Sequence, residues 1–186
     1  PSSQGGPPID PPSATVVVTT SDADGPRLVA VDLPSGRSAP FPGPHENDRF
    51  AHASVAADGT RMVFHGTRGG NPAALGDGTP AAQRSDIFVA TLGPHGAQDI
   101  TALTSTGCNT DPALSPDGLA VAYACAPSCS ATDAADLCLL RLDDGTTTTL
   151  VTSPDDERSP TWSPDRRRIA FTRGRGLHIN FISNAY

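Results

Sequence analysis

The sequence predicts an all-β chain, a β-propeller of four-stranded antiparallel blades with about three to four blades present, a partial propeller. Three observations predict it. Gly 18 and Pro 19 make up about a fifth of the 186 residues, a composition of many turns and little helix. One hairpin pattern occurs three times, with its aspartates at positions 58, 117 and 165, a spacing close to the roughly 40–50 residues of propeller blades. Strand-like segments bounded by turn residues follow the first two copies in full and the third in part. A blade of this kind buries both faces only when neighbours stack on it.

In chain order, residues 1–13 are rich in Pro, Gly and Ser, offer almost nothing to bury, and read as a linker or tether. The chain begins at Pro1 without Met, so either a leader has been removed or the segment is cut from a longer protein. Residues 14–186 are the propeller segment, divided into a partial blade at 14–48, blades at 49–106 and 107–156, and a partial blade at 157–186. In the first, Thr15–Thr19 matches a second strand, Arg27–Leu33 a third, and Pro34-Ser35-Gly36 the turn into a fourth.

The three copies of the pattern run His52–Phe64, Asp111–Tyr123 and Ser159–Phe171. Each Asp has an apolar residue three positions before it (Val55, Leu114, Trp162) and an aromatic six after it (Phe64, Tyr123, Phe171). The physical reading is a hairpin. In Ser-Pro-Asp-Gly, Pro pre-sets φ, Asp bonds its own backbone and Gly supplies a positive φ. Third strands follow at Asp86–Leu92 and Asp136–Leu142, and the turn Asp143-Asp144-Gly145 leads into a Thr-rich fourth strand over Thr146–Val151. Leu177–Ile182 reads as a last third strand. An arc short of a ring leaves open blade faces with aromatics, so self-association is expected.

A net charge of −7, a pI of 5.0 and basic residues that are all Arg leave no basic stripe for nucleic acid or an anionic membrane. No apolar run approaches the roughly 20 residues of a membrane span. Nucleophile-elbow, zinc-protease, phosphate-loop and dinucleotide motifs are absent, so no catalytic residue and no cofactor are expected. The cysteines, Cys108, Cys125, Cys129 and Cys138, fall in connections of one blade, on the face where blade-to-blade and second-to-third-strand loops emerge. Three pairings are open. Two disulfides, or one with free thiols, are expected ahead of a four-thiolate metal site, and disulfides place the chain in the periplasm or outside the cell.

Asp58, Asp117 and Asp165 are read as structural turn residues rather than an acid cluster, and Phe64, Tyr123, Trp162 and Phe171 as wedges between blades. His52, Asp111 and Ser159 occupy equivalent positions, six before each Asp, at the opening of the strand that lines the central channel. Three polar side chains there could bind a polar ligand or a cation; solvated strand ends are the plainer reading. His52 and Asp111 could hold a divalent ion, but two candidates do not define a metal site. Ser21–Gly25 resembles half a calcium loop without the downstream Glu, and a tight hairpin needs the same residues. His45, His65, His95 and His178 have no repeated partner, and Arg166–Arg168 reads as a solvated turn. The 67–85 loop is too long and polar for a plain hairpin and reads as disordered or functional.

The Ser-Pro-Asp-Gly hairpin with its aromatic resembles the Pro-Asp repeat of TolB-type β-propellers over residues 14–182. Copy one departs with Ala57 for Pro, and copy three with Arg166 for Gly. The resemblance implies a six-bladed ring of which blades are missing here, and protein partners in the periplasm. A non-catalytic binding or scaffold module of an exported or cell-envelope protein, contacting a protein or polysaccharide through its loop face, is the expected function. The alternative is the propeller of a prolyl-oligopeptidase-like serine hydrolase whose catalytic domain lies outside this chain.

Overall fold

The computed structural model describes residues 15–22, 25–32, 35–41, 48–67, 85–93, 96–130, 133–174 and 179–183. All regular structure among them is β. The first sheet holds β1 (Thr15–Asp22), β2 (Gly25–Asp32) and β3 (Ser38–Pro40), and the second β4 (Arg49–Val55), β5 (Arg61–Thr67), β6 (Asp86–Gly93) and β7 (Gly96–Ala102). The third holds β8 (Asn109–Leu114), β9 (Ala120–Cys125), β10 (Asp136–Arg141) and β11 (Thr147–Val151), and the fourth β12 (Glu157–Trp162), β13 (Arg168–Arg173) and β14 (Ile179–Ser183). Every pairing between named strands is antiparallel and sequential, so each sheet is a meander. The linker at residues 1–13, most of the 67–85 loop, and His45, His95 and His178 lie outside the described residues.

The repeated hairpin forms because side chains complete its turn. Gly118 N–H donates to Ser115 O at 2.8 Å and Ser115 N–H to Ala120 O at 2.8 Å, closing the corner between β8 and β9. Asp117 Oδ1 accepts from the Ser115 hydroxyl and the Leu119 N–H, while the buried Ser115 oxygen accepts from Ala120 N–H at 2.9 Å. Copy three repeats this with Ser163, Asp165, Arg167 N–H and Arg168 N–H. Copy one has Ala56 where the others have Ser, and Asp58 takes its hydroxyl donor from Thr60 at 2.7 Å instead. These donors hold the corner carboxylates below the ordinary Asp range. The Thr60 amide leads for Asp58 and the Ser163 hydroxyl for Asp165. At Asp117 burial pushes up, and the Ser115 hydroxyl, the Leu119 amide and Arg166 outweigh it. Gly59 and Gly118 both sit at φ 69° in the left-handed region, and Arg166 accepts φ 62° at the same corner without glycine's freedom.

Between the sheets lie three apolar layers. Leu28, Phe50, Met62, Phe64, Phe88 and Ala90 fill the space between the first and second sheets. Ala56, Val63 and Ile87 meet Leu114, Val121, Tyr123, Cys138 and Leu140 between the second and third. Ala122 and Leu137 meet Ile169 and Phe171 between the third and fourth. Strand alternation sets this up: on β5, Met62 and Phe64 face one neighbour and Val63 the other. Each repeat aromatic points to the preceding sheet. Phe171, in the last sheet, is therefore only 3% exposed, and the repeat aromatics are not what an open end presents. Trp162 is half-buried, and its indole N–H donates across to Ala113 O at 3.0 Å.

Two sequence expectations need correction. Cys125, the last residue of β9, and Cys138, inside β10, are strand residues rather than members of connections. His52, Asp111 and Ser159 do not open their strands; they are interior residues of β4, β8 and β12, each at a register shift of its hairpin.

Candidate functional site

The inner strands β4, β8 and β12 pass one another in sequence, with β1 beside β4. The register shifts fall between Ala51 and Ser54, Thr110 and Ala113, and Arg158 and Thr161. At each, one residue takes left-handed backbone geometry: His52 at φ 49°, Asp111 at 52° and Ser159 at 52°. A bulge of this sort takes a residue out of the ladder and re-aims its side chain. The freed amides reach the preceding sheet. His52 N–H donates to Thr19 Oγ1 at 2.9 Å, and Asp111 N–H donates to His65 Nδ1 at 2.8 Å.

The bulges bring His52 and Asp111 together across the seam between the second and third sheets. His52 Nδ1 and Asp111 Oδ1 are 2.6 Å apart, so the ring N–H donates to the carboxylate. His65, from β5, completes the group: its Nδ1 is 3.9 Å from Asp111 Oδ1 and its ring centroid 4.8 Å from that of His52. The His52 side chain is 58% exposed, Asp111 11% and His65 14%. Burial lowers the His65 pKa to about 4, with the Asp111 carboxylate opposing and the His52 ring reinforcing the shift. His65 is therefore neutral near pH 7, with Nδ1 accepting from the Asp111 amide and the proton on Nε2. Ser159 shares the bulge geometry but has no hydrogen bond to either partner among the described residues. His65 recurs in no other copy, so the repeat carries no signal for it; the hairpin places it opposite Ala51, one residue before His52.

Near this cluster the connections are covalently closed. Cys108 pairs with Cys129 and Cys125 with Cys138, at Cα–Cα distances of 5.1 and 5.9 Å. The first bridge ties the segment leading into β8 to the β9–β10 loop, so the two connections share one end of the sheet. The second is a diagonal link between neighbouring strands, because Cys138 stands opposite Tyr123 and Cys125 opposite Asp136. Asp86 Oδ1 holds the same end by accepting from the Thr104 hydroxyl, Gly107 N–H and the Asn109 side-chain amide. Asp58, Asp117 and Asp165 stay at their hairpin corners at the opposite end of the inner strands.

Four stacked antiparallel meanders joined by apolar layers define a β-propeller arc. Among solved structures, TolB from Acinetobacter baumannii matches with a TM-score of 0.67 and 20% identity, over 97% of this chain and 41% of that one. A putative TolB from Agrobacterium tumefaciens matches at 0.61 and 18%, over 91% of this chain and 57% of that one. A puromycin-hydrolyzing peptidase of Mycobacterium tuberculosis matches at 0.51 and 10%, over 91% of this chain and 35% of that one. The fold is thus a TolB-like propeller, and the chain spans about two fifths to three fifths of the TolB structures it resembles. No protein-family model and no curated protein matches it in sequence.

Proposed function

We propose that this chain is a non-catalytic binding segment of an exported or cell-envelope protein, presenting the loop end of its blades to a protein or polysaccharide. The observation that carries the reading is the pair of closed disulfides at that end. They suit an oxidising compartment, and they pre-order loops that would otherwise lose entropy on binding. Likeness to TolB supports a role in protein contacts by fold analogy. Photo-crosslinking in intact cells of the natural host tests it, using the full-length protein with a crosslinker at Ser128, in the tethered loop, or at Asp144, in the opposite turn. A discrete adduct from position 128 only is the expected result; none from either, or equal adducts from both, counts against it.

A second reading has support in the likeness to a peptidase: the segment would be the propeller of a serine hydrolase. Labelling of the full-length protein by a fluorophosphonate probe would move the assignment there. The binding reading expects none.

A further inference from the structure

We propose that His52, His65 and Asp111 form a binding site for one divalent first-row transition ion of the zinc class, at the seam between the second and third sheets. The ligand atoms of the three side chains lie within 4.8 Å of one another and come from β4, β5 and β8. Two imidazoles with one carboxylate suit zinc, cobalt or nickel rather than calcium or magnesium, which take oxygen ligands. This site lies outside the binding role proposed above and does not depend on it.

The bulge belongs to the repeat, since Ser159 shares it, and at this one seam it brings two ligand side chains together. Left-handed φ is disfavoured at a residue other than glycine, and the fold accepts it at His52, Asp111 and Ser159 alike. The two bulges at the seam turn the His52 and Asp111 side chains out of their ladders and towards each other. His65 is held in register as the third ligand: the Asp111 amide donates to Nδ1, which carries the ring's one lone pair and so turns that nitrogen towards Asp111.

Spacing agrees with capture of an ion after small movements. Ligand atoms about 2.0–2.1 Å from zinc in a tetrahedral site stand about 3.3 Å apart. The present spacings of 2.6 Å (His52 to Asp111) and 3.9 Å (His65 to Asp111) bracket that value. On binding, the ion takes the place of the His52 Nδ1 proton, which moves to Nε2 through water, and of the Asp111 amide at His65 Nδ1. The exposed His52 side chain supplies the freedom for the adjustment, and its open side leaves the fourth position to water or to an oxygen ligand.

The test uses the untagged chain, stripped with chelator and titrated with Zn2+ by calorimetry, and with Co2+ by visible absorption. The expected result is one ion per chain, a raised Tm, and Co2+ bands of mixed nitrogen and oxygen ligation. His52→Ala, at an exposed side chain, and the isosteric Asp111→Asn should each weaken Zn2+ binding at least about tenfold, and the Zn2+-induced rise in Tm, read against each variant's own metal-free Tm, should shrink with it. Failure to bind in a tenfold molar excess of Zn2+, or equal binding by wild type and both variants, would overturn the proposal. The three residues would then be a hydrogen-bonded clamp between sheets.

Discussion

The second and third sheets share a hairpin, a bulge and a strand order, yet they are stabilised by different means. In the second, Phe50, Phe64 and Phe88 pack with ring centroids 4.5 to 5.9 Å apart, a large apolar area taken from water. The third sheet's central strand carries Ala120, Ala122 and Ala124, buried but small, and two disulfides close around it. Burial scales with area at roughly 25 cal/mol per Å2, so the alanine face of β9 contributes less than the phenylalanine layer, while its other face buries Val121 and Tyr123. The cross-links act by another route, restricting the unfolded chain. Equal folds thus conceal unequal sources of stability.

Reduction should break the comparison most. Under a thiol reductant the chain should lose roughly 2–5 kcal/mol per bridge, seen as a fall in the denaturant midpoint, with hydrogen exchange rising first in β8–β11. An unchanged midpoint would refute the stapled-sheet account. Phe64→Ala should cost about 3–5 kcal/mol, in oxidised and reduced protein alike, because the aromatic layer lies away from the bridges. A loss under 1 kcal/mol by urea melting would show that the layer repacks.

Acid should act on the seam rather than on either sheet. The folded His65 pKa, about 4, lies below its unfolded value of 6.5. Its contribution is therefore complete above 6.5 and declines as pH falls towards 4, where the folded form also takes up the proton. In chelator, stability should drop by up to about 3 kcal/mol across that window. His65→Gln should flatten the profile, and an unaltered slope would remove His65 as the cause. The smallest effect concerns the hairpin corners: Arg166→Gly should gain about 0.5–1 kcal/mol by relieving its positive φ, less whatever its exposed pair with Asp117 contributes. A loss measured in thermal melts would mean that the ion pair outweighs the strain.

Strands and corners were legible because their causes are local. Val16, Val17 and Val18 in β1, Met62–Phe64 in β5 and Val121–Tyr123 in β9 stand where alternation and turn residues put them, and Asp117 does what a corner Asp does in any such turn. Repetition also misled. It marks His52, Asp111 and Ser159 as equals and carries no signal for His65, which recurs nowhere. Recurrence marks what every blade needs; a binding group needs to occur only once.

From the sequence alone came the all-β class, the blade repeat, the turn aspartates and the expectation of disulfides, since propensity and periodicity act over a few neighbouring residues. The tertiary structure decided the pairing of Cys108 with Cys129 and Cys125 with Cys138, the shift of three polar residues into left-handed bulges, and the meeting of His52, His65 and Asp111. Those depend on distances between chain segments tens of residues apart, which only the stacking of one sheet on the next sets.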